Sequence, residues 1–596
     1  MYRLRIGNPL PRRFRDFKAR VIVVVCCMAV ALLVLAGRAV DLQVVRQEDL
    51  AKMASRQSQR TIHIKGQRGA IEDREGDPLA LSIRMDSFYV RPGLVEQPAQ
   101  TAYRLARALN LPRETLEQRL ASEEGFVWLK RRVSPQESQA VQALELPGVG
   151  STREYLRVYP GRALAAQILG FTGVDTQGLE GLEYAYDSFL KGADGLQVID
   201  RDALGRTVLT SDGGNPTRGG SLTLTIHPAV QFIAEQELAK AVQQAEASVG
   251  VAIVMRSNTG EILAIAQAPG FNPNNFAAFD KDNYFNRALT NGYEPGSTFK
   301  VITEAVALEE KIAKPDTLFF CENGEFQHYD SVIHDTEPHG WLDMRGTLRL
   351  SSNICAAKLG MMIPAGVFRE YIARFGFGER PGVFRLPDGR RLAGEAEGYV
   401  PPKEKWTPVD HAAISFGHGV LVSPLQMAMA INTIATGGEL LRPILVREVR
   451  DPNGAPIRFG ERTQVRRVIS QSTASLVRDF MVSVVEEDGT GTRAAVPGFH
   501  VAGKTGTTEK YEFQARGYSK SKQIVSFGGF IPAKAPELTI MVVIEDPKRG
   551  RYGGTVAAPV FRDIAQRALP LLGVWPSEGP RRVNLSARVS ALGLGD

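Results

Sequence analysis

The sequence predicts an α+β chain of more than one domain, carried behind a single N-terminal transmembrane helix. Three observations predict it. The run VIVVVCCMAVALLVLA, Val21 to Ala36, is unbroken and apolar. At 596 residues the chain exceeds what one hydrophobic core usually organises. Beyond residue 220 a strand, a helix and a strand hairpin precede a long helical stretch, and strands return after residue 500, which implies a sheet built from both ends of one domain.

The membrane segment is argued from its flanks. Arg3, Arg5, Arg12, Arg13, Arg15, Lys18 and Arg20 precede it against one acid, Asp16, so the positive-inside rule places the N-terminus in the cytoplasm and the bulk of the chain outside. The run is near the lower limit of a span, and Gly37 to Val45 extend it if Arg38 and Asp41 sit at the far interface. A cleaved signal peptide is the competing reading, because Ala36, Gly37 and Ala39 are small. The long N-region and the charges inside the cleavage window oppose it. The same basic segment supplies most of the net charge of +7. The remainder is nearly balanced and carries no nucleic-acid module, so nucleic acid is excluded as a partner.

The following stretch mixes short strands, helices and turns. Glu75-Gly76-Asp77-Pro78, inside RGAIEDREGDPLALS, signals a turn between two apolar strands. Arg104 to Leu120 and Pro135 to Leu144 carry helical periodicity. YPGRALAAQILGFTG and GLEGLE follow, and their glycines and paired charges read as turns and salt bridges of a non-catalytic module. DGGNPTRGG marks a linker or long turn. Then SLTLTI reads as a strand, HPAVQFIAEQELAKAVQQA as an amphipathic helix, and VGVAIVMRSNTGEILAIAQAP as a hairpin turning at Asn258-Thr259-Gly260. The divisions so drawn are a cytoplasmic basic tail (1–20), the anchor (21–45), a first module (46–225), a second domain (226–575) and a tail (576–596).

The candidate chemistry lies in the second domain. In YEPGSTFK, Tyr293 to Lys300, Pro295-Gly296 breaks the preceding chain and places Ser297 at a helix N-terminus, where free N–H groups favour developing negative charge. Lys300, one turn on, shares a face with the Ser297 hydroxyl. Buried and neutral, it can act as the base of the serine. S-x-x-K alone is weak, since Ser188 to Lys191 and Ser519 to Lys522 repeat it. Two further motifs accompany it. Ser351, Ser352 and Asn353 open the helix-like ICAAKLGMM. Lys504 to Thr507, KTGT, follow the strand-like HVAG ahead of two apolar strands. Gly506 lacks a Cβ, so an extended peptide can approach that strand edge, with Lys504, Thr505 and Thr507 offering charge and hydroxyls to a peptide carboxylate.

S-x-x-K, S-x-N and K-T-G in this order are the signature of penicillin-recognising serine enzymes. With RGAIEDREG, YPGRALAAQILG, GLEGLE, TGEILA, SFGHGVLVSPLQ and GTGTRAAVPGFHVAGKTGT beside them, the chain resembles the class B penicillin-binding proteins over nearly its whole length after residue 20. The resemblance implies an elongated pedestal, or dimerisation, module over 46–225 and a transpeptidase domain, an antiparallel sheet flanked by helices, over 226–575. It implies a peptidoglycan D,D-transpeptidase of the bacterial inner membrane. Ser297 would attack the penultimate D-alanine of a donor stem peptide and expel the terminal one, and an amine of a neighbouring stem would resolve the acyl-enzyme. Lys300 would take the serine proton, while Ser351 and Lys504 pass a proton to the leaving amine. Asn353 would bind the substrate amide; Thr505, Gly506 and Thr507 would bind its carboxylate end. The backbone N–H groups of Ser297 and Thr507 would form the oxyanion hole, each worth about 3 kcal/mol. This chemistry needs no cofactor and no metal.

The implied partners are stem peptides on lipid II-derived glycan strands, β-lactams as covalent inhibitors, the membrane, and a polytopic lipid II polymerase with other division proteins docked on the pedestal. YEPGSTFK and the short segment after Arg582 resemble division-type members more than elongation-type ones. A β-lactamase would need a deacylating carboxylate, and no segment offers one. A sensor or inert scaffold would tend to have several spans or to lack the serine or lysine. His227 departs from the aspartate common after the LTLTI strand. Cys321, His328, His334, Asp335 and His339 cluster in sequence, but their spacing fits no compact zinc template. Cys26 and Cys27 lie in the membrane run. Cys321 and Cys355 could pair outside the cytoplasm, though spacing alone does not show that they meet.

Overall fold

The computed structural model of the protein describes residues 12–201, 207–214, 216–386, 389–458, 460–512 and 517–576. Arg3, Arg5 and the expected tail from residue 577 lie outside them. Residues 1–66 with 194–217 form one unit, and 67–193 with 218–596 a second.

In the first unit a helix begins at Arg12, ahead of the expected Val21, and runs to Val40. Asp41–Val45 continue it as a π-helical turn. The apolar stretch Phe17–Val45, 29 residues with none buried, is long enough to cross a membrane; at about 1.5 Å per residue it spans roughly 43 Å. The two charges of the extension satisfy each other, Arg38 lying 2.6 Å from Asp41. After the helix Gln47–Ser58, strands Gln59–Ile64, Gly195–Arg201 and Thr207–Gly214 form an antiparallel sheet with the second in the centre. The expected linker therefore begins later. Asp212 and Gly214 still pair in this sheet, with Gln197 and Leu196.

In the second unit the turn at Glu75–Asp77 joins strands Ile71–Glu72 and Pro78–Val90, as its residues predict. The longer strand pairs with both Val127–Val133 and Val149–Val158. The expected helix over 104–120 is two helices, Pro98–Leu109 and Arg113–Leu120. Asn110 closes the first with φ +49°, and Pro112 cannot continue it. Leu105, Leu109, Leu116, Leu129 and Val141 are buried in a small core over this layer.

The paired charges of the module meet at one buried glutamate. Glu183 of GLEGLE is fully buried and accepts from Arg68 Nε (2.5 Å) and Arg157 Nε (2.7 Å), while Arg68 also reaches Asp187 at 2.6 Å. Arg157 Nη1 donates to Gly69 O at 2.7 Å, so RGAIEDREG, the strand Val149–Val158 and GLEGLE are stitched at one point.

Strand Ser221–Leu224 lies between Ile71–Glu72 and Val446–Arg450, in one sheet with the module. The main sheet has the order Ile262–Ala268, Val249–Arg256, Leu538–Glu545, Gly517–Ile531, Ala502–Glu512, antiparallel throughout. Its first two strands come from the predicted hairpin and its last three from beyond residue 500. Helices Pro228–Ala245 and Gly553–Leu571 pack with these strands in one core, with Leu238, Phe561 and Ile564 fully buried. Helix Pro424–Ala435 also packs against the sheet, and all its residues but the last are buried. The α+β class and the antiparallel sheet flanked by helices hold.

Candidate active site

Ser297 lies in a 3-10 turn, Gly296–Phe299, that leads directly into the helix Lys300–Glu309. The turn fits closely against two neighbours. Gly296 takes φ +53°, and a Cβ there would stand 3.2 Å from Thr507 O; its N–H donates to Gly417 O at 3.1 Å. Thr298, Phe299 and Lys300 are buried while Ser297 is half-buried, and Ser297 Oγ has no hydrogen-bond partner among the described residues. The turn is thus held in place, and its hydroxyl has no partner that a substrate would have to displace.

Lys300 is completely buried, and burial pushes its amine down to about 7 against smaller opposing pulls from Asp335 and Glu304. Its Nζ donates to Ser351 O (2.5 Å) and Asn353 Oδ1 (2.8 Å), with Ser351 Oγ at 3.3 Å. A neutral amine has two N–H donors and one lone pair. The carbonyl and the carboxamide take both donors, so the lone pair is left for a hydroxyl. Lys504 Nζ approaches the same Ser351 Oγ from the other side at 2.8 Å, and also bonds Thr505 O (3.0 Å) and Thr505 Oγ1 (3.2 Å). Lys504 is also fully buried; burial, then Lys300, hold it well below the ordinary lysine range. One hydroxyl therefore bridges two buried amines, an arrangement able to move a proton between them.

Ser351 closes the helix Met344–Leu350 in the left-handed region, φ +61°, unusual for a residue with a side chain. Ser352 then caps the helix Asn353–Met362, its Oγ accepting from Cys355 N at 3.0 Å. Asp335 completes that cap: Oδ1 accepts from Asn353 N (2.5 Å) and Ile354 N (3.0 Å), and Oδ2 from Ser352 Oγ (2.5 Å). Both ends of the Asn353 carboxamide are engaged, Oδ1 by Lys300 and Nδ2 by His334 O at 2.8 Å. Cys321 and Cys355 form a disulfide, with Cα atoms 5.1 Å apart, tying the segment ahead of Asp335 to this helix. Two members of the Cys/His/Asp cluster are thus engaged structurally, Cys321 in the disulfide and Asp335 in the cap.

KTGT lies inside the edge strand Ala502–Glu512 rather than after a strand. A Cβ at Gly506 would meet Ser526 Oγ at 2.3 Å, Thr298 Cγ2 at 3.0 Å and Pro295 O at 3.1 Å. The missing side chain leaves room for Ser526 of the neighbouring strand and for the Ser297 turn. Thr507 Oγ1 accepts from Gly553 N at 3.2 Å, and Thr505 Oγ1 lies 3.0 Å from Thr490 Oγ1. Of the decoys, Ser188 lies in the short helix Asp187–Leu190 and Ser519 in the strand Gly517–Ile531.

Three side chains missed in the sequence adjoin the site. Glu294 Oε1 accepts from Gly419 N (2.8 Å) and Tyr518 Oη (2.9 Å), joining YEPG to the SFGHG loop and a neighbouring strand. His418 follows Gly417 in that loop; burial, then Lys300, push it down to about 4, so it is neutral. Glu304 is buried one turn beyond Lys300. Its i+4 spacing from Lys300 was a usable signal. Glu294 and His418 came together only through the fold.

The penicillin binding protein transpeptidase domain matches residues 250–566, and the penicillin-binding protein dimerisation domain matches 63–224. The chain is a class B penicillin-binding protein. It is similar to the peptidoglycan D,D-transpeptidase FtsI of Escherichia coli K12, 33% identical over 558 residues that cover 92% of this chain and 91% of that one. It is also similar to the probable peptidoglycan D,D-transpeptidase PenA of Neisseria gonorrhoeae, 34% identical over 94% of each chain. Among solved structures, penicillin binding protein 3 of Mycobacterium tuberculosis, complexed with aztreonam, superposes with TM-score 0.68 at 26% identity, covering 87% of this penicillin-binding protein and 98% of that chain. The family read from the three motifs is the family the chain belongs to.

Proposed function

We propose that this protein is a serine-type peptidoglycan D,D-transpeptidase acting through a Ser297 acyl-enzyme. The observation that carries the reading is the Ser351 hydroxyl bridging the buried amines of Lys300 and Lys504, with Lys300 one turn after the half-buried Ser297. Ser297 Oγ bonds to the carbonyl carbon of the penultimate D-alanine as its proton passes to Lys300. The C–N bond to the terminal D-alanine then breaks, and a proton returns through Ser351, next to Lys504, to the leaving nitrogen. The negative charge on oxygen in between falls to the backbone N–H groups of Ser297 and Thr507. Thr505 and Thr507 receive the donor carboxylate, with Gly506 setting their strand against the turn, and Asn353 holds the donor amide while it orients Lys300. An acceptor amine from a neighbouring stem repeats the sequence in reverse and forms the cross-link. β-Lactams enter by the first half and remain, because their leaving nitrogen stays tethered to the adduct.

The deciding experiment is labelling of the purified full chain by a fluorescent penicillin. A long-lived adduct on Ser297, absent in Ser297→Ala, is expected. Rapid loss of the label would assign a β-lactamase, and no label a scaffold.

The division role, rather than elongation, is supported by YEPGSTFK and by the similarity to FtsI. Depletion producing filaments supports it; round cells overturn it. The basic flank and the Phe17–Val45 helix support a single-pass protein of the inner membrane with its N-terminus in the cytoplasm. Alkaline phosphatase fused after residue 576 should be active, and an inactive fusion there would reverse the topology. Docking of a lipid II polymerase on the 63–224 module is read from the family resemblance. Alanine substitutions at exposed residues of that module, such as Tyr103 and Phe126, should weaken co-purification with the polymerase while leaving penicillin labelling intact.

A further inference from the structure

Thr490, 15 residues ahead of Thr505, belongs to the segment GTGTRAAVPGFHVAGKTGT but has no part in the acylation steps above. It lies between the helix Gln471–Ser483 and the 3-10 turn Thr492–Ala494, exposed itself but bonded to the buried Thr505. Its main chain is fixed from two sides. Thr490 N–H donates to Arg349 O at 3.3 Å, and a Cβ on Gly554 would stand 2.2 Å from the Thr490 carbonyl oxygen. The Thr490 hydroxyl lies 3.0 Å from Thr505 Oγ1 and 3.3 Å from Arg349 O. Arg349 comes two residues before Ser351, so one threonine clasps the segments that carry the second and third motifs.

A hydroxyl has one hydrogen to donate and two lone pairs. At Thr505 Oγ1, Lys504 Nζ donates to one lone pair at 3.2 Å. When Thr490 donates to the other, the Thr505 hydrogen has no acceptor among the described residues and is left for an incoming carboxylate, which can only accept. In the reverse direction Thr505 donates to Thr490, and Thr490 to Arg349 O over the longer distance, which leaves Thr505 nothing to offer. An anion in the cleft therefore selects the first direction. Thr507 is prepared by a different donor: its Oγ1 accepts from Gly553 N at 3.2 Å, and its hydrogen has no acceptor among the described residues. We propose that Thr490 is a positioning residue for carboxylate recognition: its hydroxyl donates to Thr505 and so turns the Thr505 hydrogen, beside that of Thr507, toward the carboxylate of the donor peptide or of a penicillin. Thr490 acts through Thr505 and does not touch the substrate. A hydroxyl that already accepts two hydrogen bonds is polarised into a stronger donor, so the effect reaches the anion along the chain. The inference rests on the acyl-enzyme reading and on the carboxylate site at KTGT.

The test compares the second-order rate of acylation by benzylpenicillin with that by its methyl ester, which lacks the carboxylate, in the full chain and in Thr490→Val. Valine keeps the shape of threonine and removes the hydroxyl. Thr490→Val should slow benzylpenicillin about fivefold, the worth of one hydrogen bond, and leave the ester rate within about twofold. Thr490→Ser keeps the hydroxyl and should restore the penicillin rate. Thr490→Ala is the second hydroxyl-free variant, should the valine not fold, and is expected to match it. A clasp that only holds the two segments together would slow both probes by the same factor; that result, or an unchanged penicillin rate without the hydroxyl, overturns the proposal. Wild-type protein acylated by neither probe would instead overturn the acyl-enzyme reading.

Discussion

Asp335 gives the sharpest test of how the second motif is held, because three donors of one helix cap converge on its carboxylate. In Asp335→Asn one oxygen becomes an NH2 group of nearly the same shape. The remaining oxygen can keep Asn353 N–H and Ile354 N–H, and Ser352 Oγ can turn to accept from the new amide. What disappears is the charge. Charge-assisted hydrogen bonds are worth about 1 kcal/mol more than neutral ones, so two backbone bonds lose about 2 kcal/mol. An anion at a helix N-terminus adds about 0.5 kcal/mol. We predict a local loss of about 2–3 kcal/mol, read as a lower thermal midpoint and as slower penicillin acylation. The same substitution removes a neighbour that pulls the Lys300 amine upward. Its acid limb should therefore move below about 7, because the neutral base persists to lower pH. An unchanged acid limb together with unchanged stability would refute this account of the site.

Four further outcomes follow from the same geometry. Wild-type acylation should rise with pH through about 7, where Lys300 loses its proton, and fall about tenfold per unit below that point; a flat profile between pH 5.5 and 8 counts against Lys300 as the base. Gly506→Ala puts a Cβ 2.3 Å from the buried Ser526 Oγ, 3.0 Å from Thr298 Cγ2 and 3.1 Å from Pro295 O, so the strand and the turn must shift and acylation should slow about 100-fold; equal rates would show that these neighbours yield freely. Glu183→Gln leaves two buried guanidinium groups facing a neutral amide and should cost about 3–5 kcal/mol in urea unfolding without altering acylation per folded molecule. Reducing Cys321–Cys355 opens a loop with a sequence separation of 34, worth about 3–4 kcal/mol by loop entropy; a midpoint unmoved by reductant would show that the loop stays ordered without the bond.

Local pattern was enough for several parts of this protein. The apolar run with its basic flank, the hairpin at Asn258–Gly260, the turn at Glu75–Asp77 and the helix behind YEPGSTFK each rest on side-chain periodicity and turn chemistry within a few residues. The motif order named the family for the same reason: each motif carries its chemistry in adjacent positions. Where a local break competed with a longer period, the break won, as at Asn110 and Pro112 inside the expected 104–120 helix.

What the tertiary structure decided is everything that depends on distance between remote segments. Only packing shows that Lys504 and Lys300, 204 positions apart in the chain, share the Ser351 hydroxyl. Only packing converts Asp335 from a candidate metal ligand into a helix cap, joins Cys321 to Cys355, and gives the space at Gly506 to Ser526 and the nucleophile turn. Glu304 shows the division most clearly. Its register beside Lys300 is written in the sequence, but a glutamate at that spacing is ordinarily a solvated partner of its lysine, and its meaning depends on the water the fold takes away. Periodicity fixes which face a residue occupies, and burial sets the dielectric in which its charge must then be held.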